Sequence, residues 1–321
     1  MTIGTQGSLR FASVAKQTGR FGALALLLSL YTLGGCTDEV DVDSGFETAQ
    51  PVVDAWLTDE SREQTVYLWQ TQDYFANAAP PPLTGAEVRL AVAPRNGGDT
   101  TEHLFVEEGD GRYVWRPTAD AQRLGTVDHR VTLLVSATVD GQQRAYRATS
   151  RFKRVPPIDS IAVNVEEGLI GVDDGLYAQV YARDFAGVGD RYLIRSTIND
   201  TLLNRPGELN LAADAAFDGG TASDGIPFIL PIRFGVNKLD DDGAPVALVP
   251  GDRVEVEVWS LTEEAFQFLA NAQEQILNAD NGLFTVPVVS TDGNVRALGD
   301  YPAPLGMLSV SAVSRLATEV E

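Results

Sequence analysis

A mainly β fold, built as two β-sandwich domains with one α-helix inserted in the second, is what the sequence predicts. Three observations carry that prediction. Short runs of β-branched and aromatic residues recur between turn residues, several of them alternate apolar with polar side chains, and a single stretch near the carboxy terminus spaces its apolar residues by three and four. The 321 residues hold about two domains of ordinary size, and 44% apolar content is enough for packed cores.

The chain starts with a targeting segment. Arg10, Lys16 and Arg20 give a positive leader without an acid, and Phe21–Leu33 is a mostly apolar run. That run is shorter than the ~20 residues of a bilayer span, so residues 1–35 are expected to be a secretory signal peptide. They end in Leu33-Gly34-Gly35-Cys36, which resembles the lipobox of bacterial lipoproteins: small residues admit the peptidase, and the thiol accepts a diacylglycerol. Cys36 is the sole cysteine and has no partner for an internal disulfide. Cleavage before it leaves 286 residues with 21 basic against 45 acidic side chains, a formal charge of −24. Acyl chains on Cys36 would supply the membrane affinity. Residues 36–50, with Asp38, Glu39, Asp41 and Asp43, form an acidic tether. It resembles the surface-export tag of Bacteroidota lipoproteins and reads equally as a solvated spacer.

Seven strands are expected in the first domain, residues 51–155. They are Val52–Leu57, Gln64–Gln70, Gly85–Val92, His103–Glu107, Arg112–Trp115, His129–Thr138 and Arg144–Phe152. Ala86, Val88, Leu90 and Val92 share one face, with Glu87 and Arg89 on the other. Glu108-Gly109-Asp110-Gly111 and Asp140-Gly141 are hairpin turns. Seven strands in this length is the size of an immunoglobulin-like or transthyretin-like sandwich.

Val155-Pro156-Pro157 removes two backbone donors in succession and suits an extended connector, which places the domain boundary there. The second domain, 156–321, continues with strands at Ser160–Val165, Leu176–Ala182, Tyr192–Ile198, Ile226–Phe234, Arg253–Trp259 and Met307–Ser314. Residues 199–225 and 235–250 are expected to be long loops, the usual place for contacts on a sheet scaffold. The helix covers Thr262–Asn278: Ala265, Phe266, Leu269, Ala272, Ile276 and Leu277 make its stripe, and Ser260 with Glu263 fits a capping box. Such a stripe needs cover, so the helix lies on a sheet face or plugs one end.

The charge of −21 excludes nucleic acid as a partner, because a polyanion is repelled. Calcium is the cofactor the composition allows: Asp240-Asp241-Asp242-Gly243, Asp173-Asp174-Gly175 and Asp214 with Asp218 put carboxylates in flexible loops, though none has EF-hand spacing and aspartate beside glycine commonly marks a turn. Otherwise no cofactor is expected. His103 and His129 lie in strand-like stretches, and neither a Gly-x-Ser-x-Gly elbow nor a His-Glu-x-x-His pair occurs, so the sequence predicts no enzyme. Trp56, Trp69, Tyr113 and Trp115 read as sandwich packing. Tyr74-Phe75, after a strand and before a proline loop, is the candidate partner contact.

Several segments resemble the family known as domain of unknown function 4249. They are Pro51–Glu60, Gln64–Leu68, Leu83–Val88, Gly111-Arg112-Tyr113, Asn281–Phe284 and Pro304–Ser314. The resemblance implies an outer-membrane lipoprotein of the Bacteroidota or related bacteria, often encoded beside a TonB-dependent receptor, with no agreed catalytic or binding motif to carry over. The expected function is therefore that of a lipid-anchored, non-catalytic binding or accessory subunit at the outer membrane, with a TonB-dependent transporter as partner. The alternative is a surface adhesin or structural assembly subunit of the cell envelope, making contacts through sheet edges.

Overall fold

The structure is a computed structural model that describes residues 49–72, 76, 78–216, 224–278 and 291–321. It is mainly β, with sandwich-type packing. The first seven strands are β1 (Pro51–Thr58), β2 (Gln64–Gln70), β3 (Glu87–Ala93), β4 (Thr101–Glu107), β5 (Arg112–Trp115), β6 (Arg130–Val139) and β7 (Gln142–Arg151). All seven expected strands are present, with bounds shifted by two residues or fewer at each end. The turn Asp140-Gly141 places both residues at positive φ, 52° and 73°, the twist a two-residue hairpin needs.

The later strands are β8 (Ile158–Glu166), β9 (Gly175–Ala182), β10 (Arg191–Ile198), β11 (Thr201–Leu202), β12 (Asn210–Ala213), β13 (Arg253–Ser260), β14 (Arg296–Ala297), β15 (Leu305–Ser311) and β16 (Val313–Glu319). A nine-stranded sheet runs in the order β14-β7-β6-β3-β4-β5-β2-β1-β15. β4 pairs with β3 through Thr101–Phe105 and with β5 through Val106 and Glu107, so it carries the sheet from one layer to the other. Both layers face one core, where Val53, Leu57, Val66 and Leu68 meet Val88, Leu90, Leu133 and Tyr146. Asn294 joins the far edges: its amide donates to Leu308 O of β15 at 2.8 Å and to Thr149 O of β7 at 3.4 Å.

A second sheet has the order β11-β10-β13-β16, with β12 also on β10, and β8–β9 form a separate hairpin. The hairpin and one face of this sheet enclose Ala178, Val180, Tyr192, Ile194, Val254, Val256 and Val258. On the opposite face Leu193 and Trp259 pack with Leu211, Met307 and the helix Glu263–Asn278 through Ala265 and Phe266. The helix thus lies on a sheet face. Its amino end is capped by Thr262, whose Oγ1 accepts from the Ala265 amide at 3.3 Å, rather than by the expected Ser260. Ser260 is occupied elsewhere: its hydroxyl donates to Lys153 O at 2.8 Å. Ile276 and Leu277, expected in the apolar stripe, are exposed.

Two further expectations are corrected. Residues 226–234 are not a strand: Pro227 and Pro231 lack amide donors, and Pro231 sits in the first turn of a short helix, Leu230–Phe234, in which Arg233 N donates to Ile229 O at 3.0 Å. Met307–Ser314 is not one strand but parts of two. The chain runs parallel to β1 as β15, passes through Ala312, and continues antiparallel to β13 as β16. The connector expected at 155–157 does lead from one sheet to the other, yet β14 and β15 return to the first sheet, so that sheet is not confined to 51–155. The described residues form one compact unit. Among the described residues no helix is long and apolar enough to cross a membrane.

Candidate functional site

Two places gather chemistry. The first is a cleft of about 420 Å³ on the outward face of β1 and β2, lined by Asp54, Trp56, Arg62, Gln64, Tyr67 and Arg195. Antiparallel pairing sets Asp54 opposite Tyr67 and Val52 opposite Trp69, and strand alternation turns these side chains away from the core. Tyr67 and Trp69 stack at 5.2 Å, while Trp56 leans on Phe268 of the long helix at 6.2 Å. The Arg195 guanidinium lies 4.5 Å from the Trp259 ring centroid and 3.9 Å from Glu257. Burial holds the Asp54 carboxyl above the usual carboxylate range, with a hydrogen bond from Trp56 acting the other way. Half-buried aromatic faces beside guanidinium donors are suited to holding a ligand or a partner side chain.

The second place is the cluster Asp184, Asp190 and Asp214, each no more than 5% exposed, whose carboxylates come within 4.8 Å of one another. The pairing of β10 with β12 builds half of it. Arg191 pairs with Ala213 in antiparallel register, so the next residues outward, Asp190 and Asp214, are neighbours. Asp214 N donates to Asp190 O at 2.9 Å, and Asp214 Oδ1 accepts from the amides of Gly189 at 2.7 Å and Asp190 at 2.9 Å. Asp184 arrives from the end of β9, where its amide donates to Ile226 O at 3.0 Å. The backbone is left-handed at Asp214 (φ 46°) and Ala215 (φ 60°), the latter of order 1 kcal/mol of strain for a residue with a Cβ.

One cation serves the cluster directly. Arg154 Nε donates to Asp190 Oδ1 at 2.9 Å and Nη2 to Oδ2 at 2.5 Å, and the same guanidinium reaches the carbonyls of Ala186 and Gly187. The bond to Asp190 raises the Arg154 pKa further. Tyr192 donates its hydroxyl to Asp184 Oδ1 at 2.5 Å. Asp184 Oδ2 is buried and makes no hydrogen bond of good geometry among the described residues. Burial holds the Asp184 carboxyl above its ordinary range; the Tyr192 hydroxyl and the neighbouring Phe185 amide oppose this, and the charges of Asp190 and Asp214 add to it.

The acids singled out in the sequence are placed differently. Asp240, Asp241 and Asp242 sit in an exposed turn. Asp240 Oδ1 accepts from the amides of Asp242 and Ala244, and Asp241 points into solvent, 3.4 Å from Arg205. Asp174 Oδ1 accepts from the Gly168 amide in a second turn. Neither run gathers its carboxylates, whereas the buried triad does so among the described residues. Asp214 belongs to that triad, and Asp218 lies outside the described residues. The signal for Asp184 and Asp190 is the glycine-broken stretch Asp184–Asp190 between two clear strands; their convergence with Asp214 depends on a strand pairing that local sequence does not display.

His103 is buried edge-on against Trp115 at 5.2 Å, and burial lowers its pKa. Tyr113 is fully buried, donating to Leu83 O and accepting from Ala86 N, a packing role. Leu33, Gly34, Gly35, Cys36, Tyr74 and Phe75 lie outside the described residues.

Comparison with known proteins gives one family match: the model described as "Domain of unknown function (DUF4249)" covers residues 37–316. No curated protein matches the chain. Among solved structures, the FN1-FN3 domains of chicken CNTN1 are similar at 12% identity, over 67% of this chain and 61% of that one, with a TM-score of 0.24. A two fibronectin type-III domain segment from chicken tenascin is similar at 12% identity, over 67% of this chain and 92% of that one, with a TM-score of 0.18.

Proposed function

The chain belongs to the DUF4249 family, and from that premise we propose that it is an outer-membrane lipoprotein, anchored through Cys36, that serves as a non-catalytic binding or accessory subunit of a TonB-dependent transporter. The observation that carries the reading is Leu33-Gly34-Gly35-Cys36 at the end of an apolar leader, with Cys36 the sole cysteine of the chain. The family match begins at residue 37, directly after that cysteine, which supports a mature protein starting there. Acyl chains on Cys36 provide the membrane affinity by burying methylenes, leaving a strongly acidic sandwich scaffold free in the aqueous phase. The cleft of Trp56, Tyr67 and Arg195 supports a binding role, as does the pair Tyr74-Phe75, which we assign to partner contact.

The anchor is tested by Cys36→Ala in the native host, with envelopes separated by density. The wild-type protein is expected in the outer-membrane fraction and the variant outside it. Equal recovery of both in that fraction refutes the anchor.

A further inference from the structure

We propose that Asp184, Asp190 and Asp214 bind a divalent cation of the calcium type. The observations are geometric. Three carboxylates, each at least nine-tenths buried, converge within 4.8 Å, and one oxygen among them, Asp184 Oδ2, is sealed from solvent with no well-formed hydrogen bond among the described residues, the Phe185 amide being a further donor that acts on this carboxylate. A buried carboxylate oxygen without a well-formed hydrogen bond costs free energy, and a cation is the group that satisfies several such oxygens at once.

Charge leads to the same place. Arg154 balances one of the three carboxylates, and two negative charges remain when all are ionised, the complement of a divalent ion. Tyr192 and the amides of Gly189 and Asp190 occupy one oxygen each of Asp184 and Asp214, which fixes those carboxylates in orientation as outer partners of ligating groups do. The donors are all hard oxygens; none of the chain's two histidines takes part, and its sole cysteine lies far from the cluster in sequence. Such a set favours calcium over zinc or copper, and calcium accepts water oxygens for the rest of its six to eight ligands. The site joins the end of β9, the start of β10 and the residue after β12, so an ion there would pin three segments of the second sheet region together.

The test uses the purified full-length lipoprotein in detergent. With ~1 mM CaCl2 in place of EGTA, the wild-type Tm should rise by roughly 3 °C or more, as ligand linkage requires when the ion is well above its Kd. Asp184→Asn keeps an acceptor for Tyr192 and removes the free carboxylate oxygen; its calcium-dependent rise should vanish. Hydrogen exchange of the wild type, read by mass spectrometry, localises the ion without any variant: peptides covering 184–190 and 212–216 should exchange more slowly with calcium than with EGTA. An unchanged wild-type Tm, a rise that persists in Asp184→Asn, or protection confined to another segment such as 240–244 overturns the proposal. Asp184 holding a proton in place of an ion gives the first of these results.

Discussion

Ser260 and Ala312 exchange two hydrogen bonds: the Ser260 amide donates to the Ala312 carbonyl, and the Ala312 amide donates to Ser260 Oγ, each at 3.0 Å. The same hydroxyl donates to Lys153 O. Ala312 is where the carboxy-terminal chain leaves β1 and joins β13, and Lys153 begins the connector out of the first sheet. One side chain therefore secures two of the places where the chain passes between the sheets, the exit after β7 and the passage from β15 to β16. Asp59 assists, since its Oδ1 accepts from the Val313 amide at 3.1 Å.

Ser260→Ala is expected to cost about 1–3 kcal/mol, because it strands the buried Ala312 amide and removes the donor to the half-buried Lys153 carbonyl. Urea unfolding followed by tryptophan fluorescence reads the cost as a lower midpoint. A midpoint equal to that of the wild type contradicts the linking role of the hydroxyl.

Asn294 acts on Leu308 as a neighbouring strand would, accepting from its amide and donating to its carbonyl, both at 2.8 Å. Asn294→Ala should lower stability by about 1–2 kcal/mol, and calorimetry should show a Tm lower by roughly 2–6 °C. Asn294→Gln should not restore it, since the longer side chain displaces the amide. A fully stable glutamine variant would contradict the strand-like geometry.

Asp184 has its pKa raised in the folded state by burial and by the neighbouring carboxylates. A group of this kind adds stability that is complete below its unfolded pKa and is lost as pH rises through the folded value. In EGTA, Asp184→Asn is therefore expected to gain on the wild type as pH rises above the ordinary aspartate range, about pH 4, with the two converging at the acid end. Asp54 and Asp59, which are raised by burial as well, are common to both proteins and cancel in the comparison. Urea midpoints across the pH series provide the readout; a gap that does not change with pH refutes the buried ionised carboxylate.

Much of the scaffold was legible because a half-buried strand writes its own period. β2 and β5 match the sequence reading to the residue, and β13 alternates as Val254, Val256 and Val258 require. Residues 226–234 misled because Ile226, Phe228, Ile229, Leu230 and Ile232 look like a strand, and the deciding features were the missing amides at Pro227 and Pro231. The passage at Ala312 was invisible, since both flanking runs are apolar and only partner choice divides them. The acidic cluster was half visible. Asp214 stood out beside Asp218, but the residues it meets, Asp184 and Asp190, are distant in sequence and are brought to it by the β10–β12 register. Runs of adjacent aspartates are the more conspicuous feature of the sequence, and they are turns, where Asp240 Oδ1 accepts from the Asp242 and Ala244 amides.

We propose that this acidic β-sandwich protein works at the outer membrane as a transporter's accessory subunit. The most direct test is an affinity pull-down of the natively lipidated protein from detergent-solubilised outer membranes, with the eluate identified by mass spectrometry, alongside a Tyr74→Ala, Phe75→Ala variant. A TonB-dependent receptor is expected to co-purify with the wild type and to fall away with the variant. Recovery of the lipoprotein alone, or in a filament or heteromeric complex lacking any transporter, would contradict that role and indicate an adhesin or assembly subunit.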